Sequence, residues 1–251
     1  MMHKKIIIDI PFNIDLGALY LSEPYVKRMY DKVFQNAQTK EWIDYRIDIF
    51  MQYTYMSLKA QIDQSFVCLM RYNEPTKDLI AEALAKYPQL PENIIFTYEA
   101  DQMIEEVMQN YDYLYHVRID SDNMYHFDFI QQVNKFPYEK GLECLLCKDG
   151  YIYDVSTDRL GQIYHESPSL YVYIYDKETY RDHFKSRLFE NHFKAVQLKH
   201  KVIYGKNYMI IVHKKNVDNE FDFILRHCRG QRIEDEATKV SILEKWQIKR
   251  N

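Results

Sequence analysis

Between Lys4 and Ile119 the chain switches repeatedly between two hydrophobic periods, and this alternation limits its fold more than any other feature. Four short, nearly continuous apolar runs predict buried strands: "KKIIIDI" (4–10), "SFVCLM" (65–70), "NIIFTY" (93–98) and "YLYHVRI" (113–119). The segments between them carry apolar residues at helical spacing. "PYVKRMYDKVF" (24–34) has Val26, Met29, Tyr30 and Val33, and "EWIDYRIDIFMQYTYMSLKAQ" (41–61) reads as one long helix. "TKDLIAEALAKY" (76–87) has Thr76 in position to cap and Pro88 to end it, and "ADQMIEEVMQN" (100–110) stripes Met103, Ile104, Val107 and Met108 on one side. Strand–helix–strand repeats of this kind predict an α/β fold with a mixed, mostly parallel sheet flanked by helices. Ligands collect at the carboxyl ends of such strands.

After about residue 140 strands dominate: "LECLLC", "YIYDV", "LYVYIY", "VQLKHKVIY" and "YMIIVH", with a helical segment near "RDHFKSRLFENHF". "EFDFILRHC" (220–228) and a polar segment from about Glu234 to Lys249 predict a helical C-terminal tail. "CLLC" lies in a strand-like run whose alternation sends Cys144 and Cys147 to opposite faces, which argues for buried thiols over a metal site. A net charge of −4 gives long nucleic acid no basic excess to bind. No apolar run approaches the roughly 18–20 residues of a membrane span, and Asp9 breaks the first apolar stretch too early for a signal peptide. The expectation is a cytoplasmic protein.

The fourth strand runs into "RIDSDN" (118–123), where Asp120 and Asp122 stand one residue apart. Two such charges about 5 Å apart, at an effective dielectric near 20, cost roughly 3 kcal/mol. A turn at a loop tip would screen them with water, and Asp-Ser-Asp makes good turns. In an extended segment, however, residues i and i+2 share a face, so Asp120 and Asp122 would both address one divalent cation. Oxygen ligands suit Mg2+ or Mn2+, and a bound diphosphate would share the ion. Arg118 falls on the same face and would pair with a phosphate or hold a carboxylate. Arg71, just past the second strand, stands at the carboxyl edge where a nucleotide would sit.

These residues carry a resemblance. "RIDSDN" at a strand end, in a chain that begins "IIIDIPFN", resembles the nucleotide-diphosphate-sugar glycosyltransferases of the GT-A fold, and more closely their rhamnosyltransferase-like group. "RIDIFMQYTYMSLKAQIDQSFVCLM" is similar to that group's arginine-containing helix and the strand after it, and "VHKKN" to its late His-x-x-Asn. The resemblance covers most of residues 4–217. Position 123 is Asn where a third acidic residue is common, and no arginine precedes Phe12-Asn13. It implies a GT-A-like domain over 1–217, with a nucleotide-binding half (about 1–135) and an acceptor half (about 136–217), then a helical extension over 218–251. It implies a metal-dependent enzyme with a DxD motif that moves a sugar from a nucleotide-diphosphate sugar to the hydroxyl of a carbohydrate or other acceptor. Mn2+ or Mg2+ would be held by Asp120, Asp122 and His213, with Asp120 on the metal or the ribose and Phe12, Asn13 and Arg118 on the donor side; Arg71 joins them by its place at the carboxyl edge.

An inverting transfer also needs a base within reach of the acceptor hydroxyl, whereas a retaining one needs none. Asp154, Asp158, Glu166 and Asp176 follow the acidic pair, and Glu166, just before a strand, is the candidate. Most of the 23 tyrosines, including Tyr171, Tyr173 and Tyr175, read as amphipathic cover over the sheet. Two other readings remain: a catalytically inactive GT-A-like module that binds a sugar nucleotide or a protein, and a metal-dependent phosphohydrolase. The latter would usually cluster more Asp and His ligands.

Overall fold

The computed structural model describes residues 3–15, 31, 33–188, 192–214, 216 and 220–249. The predicted helix over 24–34 lies outside them apart from residues 31, 33 and 34. The chain forms two compact units: unit 1 from Met1–Phe50, Ser65–Ser121 and Tyr173–Asn191, and unit 2 from Met51–Gln64, Asp122–Val172 and His192–Asn251. The fold is mixed α/β, with mostly parallel strands flanked by helices.

Unit 1 is built from β1 (Lys4–Pro11), α1 (Lys40–Ile49), β2 (Phe66–Arg71), α2 (Lys77–Leu84), β3 (Ile94–Thr97), α3 (Ala100–Asn110) and β4 (Tyr113–Arg118). β1 pairs in parallel with both β2 and β4, and β2 with β3. Hydrogen-bonded on both edges and covered on both faces, β1 has to be apolar throughout, and Ile6, Ile7, Ile8 and Ile10 are all buried. Thr39 caps α1 by accepting from the Trp42 amide at 3.3 Å. The run predicted as one helix over 41–61 is α1, a π-helical turn Phe50–Thr54 and a last α-turn Tyr55–Lys59. Thr76 stands at the N-cap of α2 but makes no side-chain capping bond. It closes a 3-10 turn, Glu74–Thr76, and its hydroxyl accepts from Asn13 Nδ2 at 3.1 Å.

The chain enters unit 2 after Ser121 and continues through β5 (Met124–Tyr125), α4 (Phe129–Lys135), β6 (Cys144–Leu146), β7 (Asp149–Asp154) and β8 (Arg159–Tyr164). β9 (Tyr171–Asp176) and α5 (Lys177–Arg187) carry it back to unit 1, where β9 lies next to β4. Asp176 caps α5 in a capping box with Thr179. The rest of unit 2 holds β10 (His200–Val202), β11 (Tyr208–Val212), α6 (Phe221–His227), β12 (Gln231–Arg232) and α7 (Glu236–Lys245).

Five strands of unit 2 form a sheet in the order β12-β8-β7-β11-β5, in which only β7 and β11 run parallel. Two glycines are fixed by close approach. A Cβ on Gly150 would meet the Tyr208 ring of the paired strand at 2.7 Å, and one on Gly161 would meet Leu225 Cδ2 of α6 at 2.7 Å. α7 is tied down by Lys239 Nζ, which donates to Asp158 Oδ2 at 2.9 Å. Leu243 and Trp246 pack into a core with Met124, Tyr153, Leu160, Met209 and Ile211. All four cysteines are free and buried. No described helix is long and apolar enough to cross a membrane.

Candidate functional site

The acidic segment departs from the extended geometry assumed for it. β4 ends at Arg118, and Ser121 and Asp122 form a turn, so the two-residue alternation of a strand does not carry across them. Asp120 is exposed, whereas Ser121, Asp122 and Asn123 are buried. Polar turn-formers take this path readily because their side chains bond to nearby backbone. Asn123 shows how the turn is held: its Oδ1 accepts from the Ile211 amide of β11 at 3.1 Å, and β5 then pairs antiparallel with Tyr208 and Met209. An asparagine oxygen serves here without adding a third negative charge.

The same pairing brings the end of β11 to Asp122. His213, the residue after β11, is 5 % exposed and sets its Nε2 3.2 Å from Asp122 Oδ2, although 91 residues separate the two. Asn216 completes the cluster. Its Nδ2 donates to Asp122 Oδ2 at 3.2 Å, its Oδ1 accepts from the His213 amide, and its own amide donates to the His213 carbonyl at 3.1 Å. The His-x-x-Asn spacing thus has a geometric cause, since one asparagine fixes both the histidine backbone and the aspartate carboxylate. Lys215 lies outside the described residues.

A buried carboxylate and an imidazole in contact are a donor set that fits a divalent cation. Ligand atoms bound at right angles with bonds of 2.0–2.2 Å stand about 3 Å apart, close to the separation seen. Among the described residues no group of three His, Cys, Asp or Glu side chains converges. These two side chains would make up only part of a shell, the kind that Mg2+ sites complete with water and substrate phosphates.

In unit 1, at the carboxyl ends of β1, β2 and β4, lies a charged network that sequence reading missed apart from Arg71. Asp9 is 2 % exposed. Its Oδ1 accepts from Arg71 Nε at 3.1 Å, and its Oδ2 from Arg71 Nη2 at 2.7 Å and His116 Nε2 at 3.0 Å. Arg71 Nη1 donates to Asp101 at 2.6 Å, so the guanidinium is engaged on all sides. Burial opposes ionisation of Asp9, but the hydrogen bond from His116 and the charge of Arg71 outweigh it and hold the carboxyl well below the usual range. Burial pushes the His116 pKa down, against the pull of Asp9, so the imidazole is neutral and its Nε2–H donates.

His116 therefore makes stability pH-dependent. The unfolded chain takes up a proton below about pH 6.5 that the folded chain refuses, so stability falls as pH drops through that value. The slope from this one group is at most about 1.4 kcal/mol per pH unit. Urea denaturation at pH 7.0 and 5.5 is expected to show a shallower pH dependence for His116→Gln than for the wild type.

The remaining predicted residues are placed as follows. Arg118 Nη1 donates to the Leu188 carbonyl at 2.7 Å, and Arg118 lines a small cleft with Asp9, Pro11, Ile14, Arg71 and Leu188. Phe12 packs edge-on against Trp42 and Phe96. Asn13 is buried, bonding to the Ala37 carbonyl, the Thr76 hydroxyl and the Asn73 amide. Glu166, in unit 2, is half exposed and pairs with Lys148 at 2.9 Å and Arg229 at 3.2 Å. The Lys148 hydrogen bond holds its carboxyl below the usual range, which weakens it as a base. Within unit 2 the structure thus brings Asp122 and His213 together.

No family profile and no curated protein sequence matches the chain. Solved structures do. One is a mannosyltransferase, PcManGT from Pyrobaculum calidifontis, in complex with GDP-Man and Mn2+, at 10 % identity and a TM-score of 0.37, matched over 84 % of this chain and 58 % of its own. Another is TarS from S. aureus, at 12 % identity and a TM-score of 0.36, matched over 98 % of this chain and 43 % of its own. The chain spans about half the length of these two proteins.

Proposed function

We propose that the protein is a GT-A-type glycosyltransferase that uses a divalent cation, Mn2+ or Mg2+, to move a sugar from a nucleotide-diphosphate sugar to an acceptor hydroxyl. The observation that carries this reading is the contact between Asp122 and His213, two buried polar side chains from distant parts of the sequence, placed by β5 and β11. Asp122 Oδ2 and His213 Nε2 would hold the cation, and Asn216 keeps both in register. When bound, the cation neutralises the diphosphate and eases its departure from the sugar. Asp120 and Arg118, at the carboxyl end of β4, are assigned to the donor, Asp120 to the ribose or the cation and Arg118 to a phosphate. Phe12, Asn13 and Arg71 support that end of the fold through the contacts they already make.

One observation favours a second reading, a catalytically silent module that binds a sugar nucleotide: Glu166, the base candidate, is held in ion pairs with Lys148 and Arg229. Incubation with a panel of nucleotide sugars and Mn2+ separates the two. An enzyme is expected to leak slow donor hydrolysis to water, abolished by chelator and restored by Mn2+. Tight donor binding with no turnover at any metal concentration would establish the silent module.

A further inference from the structure

Arg46 projects from α1 and donates through Nη2 to the hydroxyl of Ser121 at 2.5 Å, across 75 residues of sequence. Ser121 is the residue between the two aspartates and is 1 % exposed. The guanidinium also lies over the Trp42 ring, 5.6 Å from its centroid and one helical turn back. Trp42 in turn packs edge-on against Phe12 at 5.4 Å. A cation held over an indole has fewer orientations left, which helps aim its fork before any ligand arrives. A serine hydroxyl in a turn can satisfy itself with nearby backbone. Reaching it with a half-buried arginine from another element needs a further physical reason.

We infer that Arg46 is a positioning residue for the acidic turn. By gripping Ser121 with a charge-assisted hydrogen bond, it fixes the backbone from which Asp122 projects. Arg46 thus acts through Ser121 and does not touch the ligand. The inference rests on the reading of Asp122 as a cation ligand, and outer residues that orient metal ligands commonly control affinity by one to two orders of magnitude.

The test uses the full chain with Arg46→Met, Ser121→Ala, the double variant and Arg46→Lys, and two readouts. Calorimetric titration with Mn2+ alone is expected to show each single variant binding about tenfold more weakly than wild type. The double variant should be no weaker than the worse single, because the Arg46–Ser121 hydrogen bond is already lost in each. Arg46→Lys should stay close to Arg46→Met, since an ammonium lacks the planar fork. Hydrogen exchange over residues 119–125 in metal-free protein is expected to speed up in Arg46→Met and Ser121→Ala alike. Unchanged exchange in both variants overturns the inference, as does full Mn2+ affinity in Arg46→Lys or Arg46→Met. Should the wild type itself fail to bind Mn2+, the reading of Asp122 fails, and the exchange rates still decide whether Arg46 holds the turn. If Arg46→Met does not fold, Ser121→Ala alone decides both readouts.

Discussion

Replacing Asp122 by alanine is expected to lower both sugar transfer and donor hydrolysis by about 10²–10³-fold or more, with the far-ultraviolet circular dichroism unchanged. Few single positions in the chain should have a larger effect on activity. Its carboxylate is buried and is the shared partner of His213 and Asn216, so on the proposed reading removing it takes away both the anionic ligand and the group that orients the other one. Loss of a single preorganised electrostatic group in an enclosed site costs two to three orders of magnitude in rate. Folding should suffer much less. Two donors lose a partner, at about 1–3 kcal/mol each if left dry, but a buried negative charge is removed at the same time. Asp122→Asn preserves shape and one acceptor oxygen while deleting the charge. It should be nearly as inactive as alanine, and activity within tenfold of wild type in either variant would contradict the assignment.

The second large effect is on stability. Asp9→Ala is expected to destabilise the fold by roughly 3–5 kcal/mol, measured by urea denaturation at pH 7, because it breaks a buried ion pair and leaves one partner inside. Arg71, 14 % exposed in its side chain, would retain only the pair with Asp101, whose own side chain is 66 % exposed. His116 would lose the acceptor for its Nε2–H. The double variant Asp9→Ala with Arg71→Met should recover part of the loss, since the stranded guanidinium is then gone. A loss under about 1 kcal/mol for Asp9→Ala would show that the network contributes little to stability, despite its hydrogen bonds.

These two aspartates also mark how much the sequence could reveal. β1 to β4 and α3 were legible almost to the residue, because strands buried on both faces leave unbroken apolar runs and α3 leaves a clean stripe. β8 was not: Gly161 sits in its middle, placed there by the approach of Leu225, and breaks the pattern a strand should have. The pairing of Asp122 with His213 followed from the resemblance and not from local pattern, since no periodicity links residues 91 positions apart. The opposite burial of Asp120 and Asp122 was hidden because strand alternation was carried one step past the end of β4 into a turn. Asp9 did leave a signal. A carboxylate inside "IIIDI" cannot stay buried without a cation, and Arg71, at the end of the neighbouring strand β2, was the available one.

The most direct test of the account is thermal denaturation of the wild type and of His213→Ala against a panel of nucleotide-diphosphate sugars, each with Mn2+ and with chelator. A ligand that binds only the native state raises the midpoint in proportion to the logarithm of its saturation. At least one donor is expected to raise the wild-type midpoint in Mn2+, chelator to remove the rise, and His213→Ala to show none. An equal rise in chelator, or an undiminished one in His213→Ala, would contradict it.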